Sequence, residues 1–89
     1  MATLFVRHTV ADYAAWKKVY DEIDAERRSA GVTSAGIYQA DGNPNDITLY
    51  HEFATMDAAK AFAGSDLLRS AMGRAGVQGA PTIWFTQRV

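Results

Sequence analysis

The feature that most restricts the fold of this chain is the order of the secondary structure that its sequence predicts. Four short segments rich in β-forming residues alternate with two amphipathic segments in the order βαββαβ. Because crossover connections are right-handed, this order predicts an α+β, ferredoxin-like split-βαβ sandwich. Such a sandwich has a four-stranded antiparallel sheet with two helices on one face. We interpret residues 1–89 as a single domain of this kind.

Strands are predicted where short runs of β-forming residues end at polar or turn-forming residues. These runs cover residues 4–10, 32–39, 47–53 and 81–86. The densest turn signal, DGNPN at residues 41–45, separates the second run from the third. We therefore expect these two strands to form a hairpin.

The helices are predicted from capping residues and from apolar residues at spacings of three and four. Asp12 and Thr55 are candidate N-caps. The buried stripe of the first helix is expected to run to Gly31 through Tyr13, Trp16, Tyr20, Ile23 and Arg27. In the second helix, the pair Gly64 and Ser65 predicts a kink or a restart. Three glycines are expected to end it: Gly73, Gly76 and Gly79.

Composition limits the classes of function. The chain is 48% hydrophobic and has no long apolar run, which excludes a disordered chain and a transmembrane helix. The first residues do not resemble a signal peptide, so we expect a cytoplasmic protein. The absence of cysteine excludes disulfides, thiolate metal sites and cysteine nucleophiles. Nine basic and ten acidic residues, spread along the chain, predict no nucleic-acid or membrane partner.

Alternation along the strands divides the predicted sheet into two faces. One face carries aliphatic side chains together with His8 and His51, and it is expected to pack against the helices. The other face is aromatic with two charged side chains: Phe5, Arg7, Tyr38, Tyr50, Glu52 and Trp84. Two helices cannot cover both faces, so the aromatic face predicts a homodimer about a twofold axis. We expect Arg7 and Glu52 to pair across strands 1 and 3 or across the dimer.

Particular segments resemble those of a known superfamily. The run RHTVADYAAW at residues 7–16, and Glu52 and Phe53 leading to AAKAF at residues 58–62, are similar to dimeric α/β-barrel proteins. Within that superfamily the chain most resembles small bacterial proteins near the antibiotic-biosynthesis monooxygenases. The resemblance covers nearly the whole chain and implies a ferredoxin-like dimeric α/β barrel with a pocket between sheet and helices. It leaves the activity open, because the superfamily includes cofactor-free oxygenases, cyclases, haem-degrading enzymes and stress-responsive proteins.

His8 and His51 are the only histidines, and both fall on the predicted helix-facing side. One interpretation makes each a core histidine with a single hydrogen bond, or a histidine at the end of the sheet in partial contact with water. Another makes them the polar groups of an apolar pocket, and a third makes them ligands of a shared metal. If Val6 lies opposite Leu49, the histidines are offset by about four residues, or about 13 Å, which is too far for one metal.

Two functions follow from these residues. The first is a cofactor-independent enzyme, monooxygenase-like or cyclase-like, in which His51 removes a proton from a small hydrophobic, aromatic or polyketide-like substrate while His8 and Tyr20 orient the substrate oxygen. The candidate substrate contacts are apolar or aromatic: Tyr13, Trp16, Phe53, Phe62 and Met72. No metal, flavin or haem is expected. The second function is a non-catalytic ligand-binding or stress-associated dimer. A cavity of about 300 Å³ or more beside a histidine favours the enzyme, and a filled interface favours the alternative.

Overall fold

The protein forms a four-stranded antiparallel sheet with helices on one face, as described by a computed structural model of residues 1–89. The spatial order of the strands is β2-β3-β1-β4. Their bounds are β1, Ala2–Val10; β2, Val32–Ala40; β3, Asn43–Phe53; and β4, Val77–Gln87. All three neighbouring pairs are antiparallel. The predicted ferredoxin-like fold is therefore confirmed.

Each predicted helical region contains two short helices. Their bounds are α1, Tyr13–Glu22; α2, Asp24–Ser29; α3, Met56–Ala63; and α4, Asp66–Arg74. The break between α1 and α2 at Ile23 corrects the prediction of one helix reaching Gly31. No helix is long and apolar enough to cross a membrane.

Side-chain caps fix where three of the helices begin. The side chains of Asp12 and Thr55 accept hydrogen bonds from backbone N–H groups in the first turns of α1 and α3, as the sequence predicts. Ser65 caps α4 in the same way, by accepting from the backbone N–H of Leu68. The predicted kink after Gly64 is therefore a capped restart of the helix.

The hairpin turn is tighter than predicted. Ala40 pairs with Asn43, so only Asp41 and Gly42 form the turn, and Gly42 takes a φ of 80°. The expected start of β3 at residue 47 is corrected to Asn43. The register with β2 shifts immediately after this pair, and Pro44 lies within the resulting irregularity. A proline is tolerated there because a bulge needs fewer ladder hydrogen bonds.

Two of the three glycines expected to end the second helical region have other roles. Gly73 lies inside α4, where a Cβ would meet nothing within 4 Å. Gly79 lies inside β4 with a φ of 71°, beside a register shift against β1. Only Gly76 follows the C-terminus of α4 directly, with a φ of 77°.

The two faces of the sheet differ as the alternation predicts. The helix-facing side buries its aliphatic residues and both histidines, and the other side carries the aromatic residues. On that outer face Phe5 stacks on Trp84 at 5.4 Å between ring centroids, while Tyr38 and Trp84 are 61% and 40% exposed. The ring of Tyr50 lies over Gly36, where an added Cβ would come within 2.3 Å of it.

The predicted ion pair between Arg7 and Glu52 does not form within the chain. Arg7 binds Asp46 through two hydrogen bonds of 2.8 and 3.1 Å. Glu52 pairs in register with Thr3, four residues from Arg7 along β1, so it lies out of reach of the guanidinium. The correction follows from β3 beginning earlier than predicted, which places Asp46 beside the end of β1.

The contrast between Gly73 and Gly76 predicts opposite effects of one substitution. Gly73→Ala should raise the free energy of unfolding by about 0.5–1 kcal/mol, because alanine is the better helix former and has free space there. Gly76→Ala should lower it by about 1 kcal/mol or more, because its positive φ disfavours any Cβ. Urea denaturation followed by circular dichroism measures both values, and shifts of the same sign would contradict the assignment.

Candidate functional site

A small cavity lies between the helix-facing side of the sheet and the helices. Its volume is about 40 Å³, room for a few water molecules. Both histidines, Tyr20 and Arg27 line it within a mostly apolar wall. Most of the apolar lining residues come from the helical regions: Trp16, Val19, Ile23, Phe62, Leu68, Ala71, Met72 and Ala75.

The cavity is bounded by a continuous row of rings that runs from one histidine to the other. The centroid distances are 5.7 Å between His8 and Trp16, 5.1 Å between Trp16 and Tyr20, and 6.0 Å between Tyr20 and His51. Phe62 closes the row, with its ring 5.3 Å from that of His51. Helix α1 supplies Trp16 and Tyr20 from one stripe because residues four apart share a helical face.

The histidines are buried without hydrogen-bond partners. His8 and His51 are 6% and 2% exposed, and neither ring nitrogen of either residue meets a protein donor or acceptor. No protein group therefore supplies the single hydrogen bond that the interpretation as core histidines gave to each of them. An unpaired polar group inside a protein costs about 1–3 kcal/mol, so a partner that reached these nitrogens would stabilise the folded state.

The register keeps the histidines apart along the sheet. Val6 pairs with Leu49 as expected, so His51 lies opposite Leu4, four residues from His8 along β1. No group of three or more histidine, cysteine, aspartate or glutamate side chains is arranged to hold a metal ion. An offset of four residues along a strand, about 13 Å, is too large for both imidazoles to bind one ion.

Burial keeps both imidazoles neutral near physiological pH. The pKa of His51 is lowered to about 4, mainly because burial penalises the charged ring and also because the positive charge of Arg27 repels it. Burial also lowers the pKa of His8. The pKa of the Tyr20 hydroxyl is raised, chiefly by burial, although Arg27 acts in the opposite direction. The cavity therefore offers two unprotonated imidazoles beside a protonated phenol.

Arg27 is the charged residue of the site, and the sequence interpretation included it only as part of the helix stripe. Its side chain is 5% exposed, and its guanidinium carbon lies 3.6 Å from the centroid of the Tyr20 ring. One terminal nitrogen donates to the backbone oxygen of Tyr20 at 3.0 Å and to Asp24 at 3.3 Å. Its Nε has no partner. The sequence feature that could have indicated this role is an arginine on an otherwise apolar helix stripe.

Two predicted substrate contacts lie outside the cavity. Tyr13 stacks on the far side of Trp16, at 6.0 Å between ring centroids. Phe53 is fully buried in the core and packs against Phe62 at 5.6 Å. Each supports a cavity residue without lining the cavity itself. The other predicted contacts, Trp16, Phe62 and Met72, do line it.

Comparison with solved structures finds the same ferredoxin-like fold in proteins described as antibiotic biosynthesis monooxygenases. A protein from Bordetella bronchiseptica provisionally assigned as such a monooxygenase matches 99% of this chain and 96% of its own, with a TM-score of 0.83 and 15% identity. SnoaB, a cofactor-independent oxygenase from Streptomyces nogalater, matches 98% and 91%, with a TM-score of 0.76 and 19% identity.

The same fold also occurs in a protein without a known activity. A Nitrosomonas europaea protein of unknown function matches 96% of this chain and 85% of its own, with a TM-score of 0.75 and 18% identity. No protein-family model and no curated protein sequence matches the chain. At identities this low the likeness establishes the fold, and the activity has to be argued from the site.

The buried imidazole of His51 predicts a specific loss of stability in acid. In the unfolded chain its pKa returns to about 6.5, so the unfolded state binds more protons than the folded state between that pH and a pH of about 4. Stability should therefore fall by about 3 kcal/mol across this window as the pH is lowered. In His51→Leu this part of the fall should disappear, while the part due to His8 remains.

Denaturation curves at several pH values test this prediction, and histidine NMR signals report the titration directly. The His51 signal should not titrate above a pH of about 5. An unchanged pH dependence in His51→Leu would show that burial does not suppress protonation of this ring.

Proposed function

We propose that the protein is a cofactor-independent enzyme, monooxygenase-like or cyclase-like, that removes a proton from a small hydrophobic compound of aromatic or polyketide-like type. One observation carries this proposal: His51 presents a neutral imidazole without hydrogen-bond partners to an aromatic-walled cavity. Likeness in fold to a cofactor-independent oxygenase supports it. The roles below are assigned on that basis.

The proposed base is His51. Its ring stays unprotonated at neutral pH, so a nitrogen lone pair is always available to accept a proton. A pKa of about 4 makes it a weak base, so the reaction needs an acidic C–H or O–H group whose anion the site stabilises. Tyr20 keeps its hydroxyl proton because burial raises its pKa, and it can donate a hydrogen bond to the developing oxygen anion. His8 orients the same oxygen, and Trp16 stacks on the ring of the substrate.

The enolate or phenolate formed in this way has two possible outcomes. With dioxygen as the oxidant, the CH₂ group of an anthrone becomes a carbonyl. One oxygen atom enters the product, and the other leaves as water with the two hydrogens. In a cyclase-like reaction the carbanion instead attacks a carbonyl carbon of the same molecule and forms a carbon–carbon bond, while the carbonyl π bond opens to an alkoxide that takes the proton back from the imidazolium. Both reactions begin with proton transfer to the imidazole.

The size of the cavity favours a second candidate function, a non-catalytic ligand-binding or stress-associated dimer. At about 40 Å³ the cavity is far below the roughly 300 Å³ expected of a preformed small-molecule site. An aromatic substrate can enter only if the helices or the lining side chains move. A protein that never binds such a substrate needs no such motion.

Activity with an easily deprotonated aromatic compound separates the two functions. We expect the protein to oxidise an anthrone or a quinol with dioxygen in the presence of a metal chelator. His51→Ala should lower kcat/KM by about 10²–10⁴-fold, because the base is lost. Oxygen uptake and product absorbance measure the reaction.

Added imidazole provides the matched control for this experiment. Imidazole should restore part of the activity of His51→Ala, because the truncated side chain leaves room for it. It should not raise the activity of the unchanged protein. Full activity in His51→Ala would remove the proposed base. No turnover of any such substrate would favour the non-catalytic dimer.

We also propose a homodimer built on the outer face of the sheet. Burying about 1,600 Å² in total is enough for a stable association of this kind, and the exposed rings of Tyr38 and Trp84 are a surface that monomers rarely leave open. Phe5, Tyr50, Arg7 and Glu52 complete the proposed interface, with Arg7 held by Asp46.

Light scattering tests the proposed dimer. The protein should be a dimer at micromolar concentration, and Tyr38→Asp and Trp84→Asp should shift it to monomer because each buries a charge among aromatic rings. Phe85→Asp is the control, since Phe85 is similarly exposed at 37% but lies on the opposite side of the same strand. A monomeric parent protein, or a dimer unchanged by both outer-face substitutions, would refute the interface.

A further inference from the structure

Arg27 and Tyr20 form a partition between the cavity and a wider cleft outside it. Both residues line the cavity, and both also line a cleft of about 620 Å³ between the α1–α2 region and the edge strand β2. The guanidinium is stacked on the Tyr20 ring. A molecule entering the cavity from this cleft therefore meets the cation and the ring together.

The guanidinium is buried with its charge only partly compensated. Asp24 is half exposed, accepts from Arg27 at a long 3.3 Å and also binds Arg28 at 3.1 Å. The cavity itself is lined by neutral histidines and apolar residues and by no carboxylate. The unpaired Nε is a strong donor shielded from water, and a buried charge of this kind is costly unless an anion completes its coordination.

We propose that Arg27 binds the ionised oxygen of an aromatic ligand whose ring occupies the cavity. The anionic oxygen accepts a hydrogen bond from Nε, and the rings of Trp16 and Phe62 contact the ring of the ligand. This inference rests on the proposed function, since such a ligand is the conjugate base that His51 would generate. The ligand class is thus an aromatic acid, phenol or enol, and Arg27 is the residue that selects it.

Entry of the ring requires the partition to move. A cavity able to hold benzene measures about 150 Å³, whereas this cavity measures about 40 Å³. Outward movement of Tyr20 and Arg27 merges the cavity with the outer cleft and breaks the contact between cation and ring. The ligand anion then replaces the Tyr20 ring as the partner of the guanidinium.

Calorimetric titration with naphthoate and its neutral analogue naphthylmethanol tests the inference. The unchanged protein should bind naphthoate at least about tenfold more tightly at neutral pH, as expected for one charge-assisted hydrogen bond. Arg27→Met should abolish the preference while retaining naphthylmethanol binding, and Arg27→Lys should retain part of it. Circular dichroism and thermal unfolding confirm that each variant is folded.

Arg28→Met is the matched control, because it removes the same charge from a neighbouring, exposed position. It should leave the preference within about twofold. Loss of the preference in Arg28→Met alone would place the anion in the outer cleft and overturn the inference. Equal binding of the two probes, or no binding of either at millimolar concentration, would also overturn it.

This binding measurement is independent of turnover. An Arg27-dependent preference for naphthoate without oxidation of any anthrone or quinol would leave the anion site in place and remove the proposed enzyme. Turnover that depends on His51 but not on Arg27, together with equal binding of the probes, would overturn the anion site and leave the proposed enzyme in place.

Discussion

The pairing of β1 with β3 is the constraint on which the site depends. These central strands pair over eight positions, from Ala2 with Phe53 to Thr9 with Asp46. Side chains alternate along a strand, so a slip of one residue between these strands would turn the buried side chains of one strand to the outer face and place the two imidazoles on opposite faces of the sheet. The hydrophobic cost of that exchange fixes the register, and the register in turn sets the separation of His8 from His51.

Desolvation determines the chemistry that this register makes possible. An imidazole buried among rings is held in its neutral form, and the nearby guanidinium strengthens the effect at His51. The same positive charge acts in the opposite sense on an anion. The guanidinium therefore favours an anion bound beside it and disfavours the imidazolium of His51, so its two effects on a proton transfer from a bound acid to the histidine act in opposite directions.

The two faces of the sheet differ in how completely their side chains are buried. The helix-facing side is packed closely enough to leave only a small cavity, which gives the domain its core but restricts access to the histidines. The outer side presents stacked aromatic rings, and the ring of Tyr50 lies over Gly36 where no side chain interferes. An identical sheet covering this second face would complete the burial without using the helix-facing side, so the proposed association and the proposed ligand entry would use opposite sides of the sheet.

The sequence alone determined the features set by local or periodic chemistry. Asp12 and Thr55 begin helices because their side chains cap nearby backbone N–H groups, and alternation alone assigned His8 and His51 to the buried face. Tertiary structure decided the features that depend on distant neighbours. Gly73 remains helical because the following turn, not its own propensity, ends α4. Arg27 belongs to the site only because the fold brings its helix position to the cavity that His51 of β3 also lines. A sequence pattern shows which residues share a face. It does not show which polar groups remain unpaired once two faces pack together.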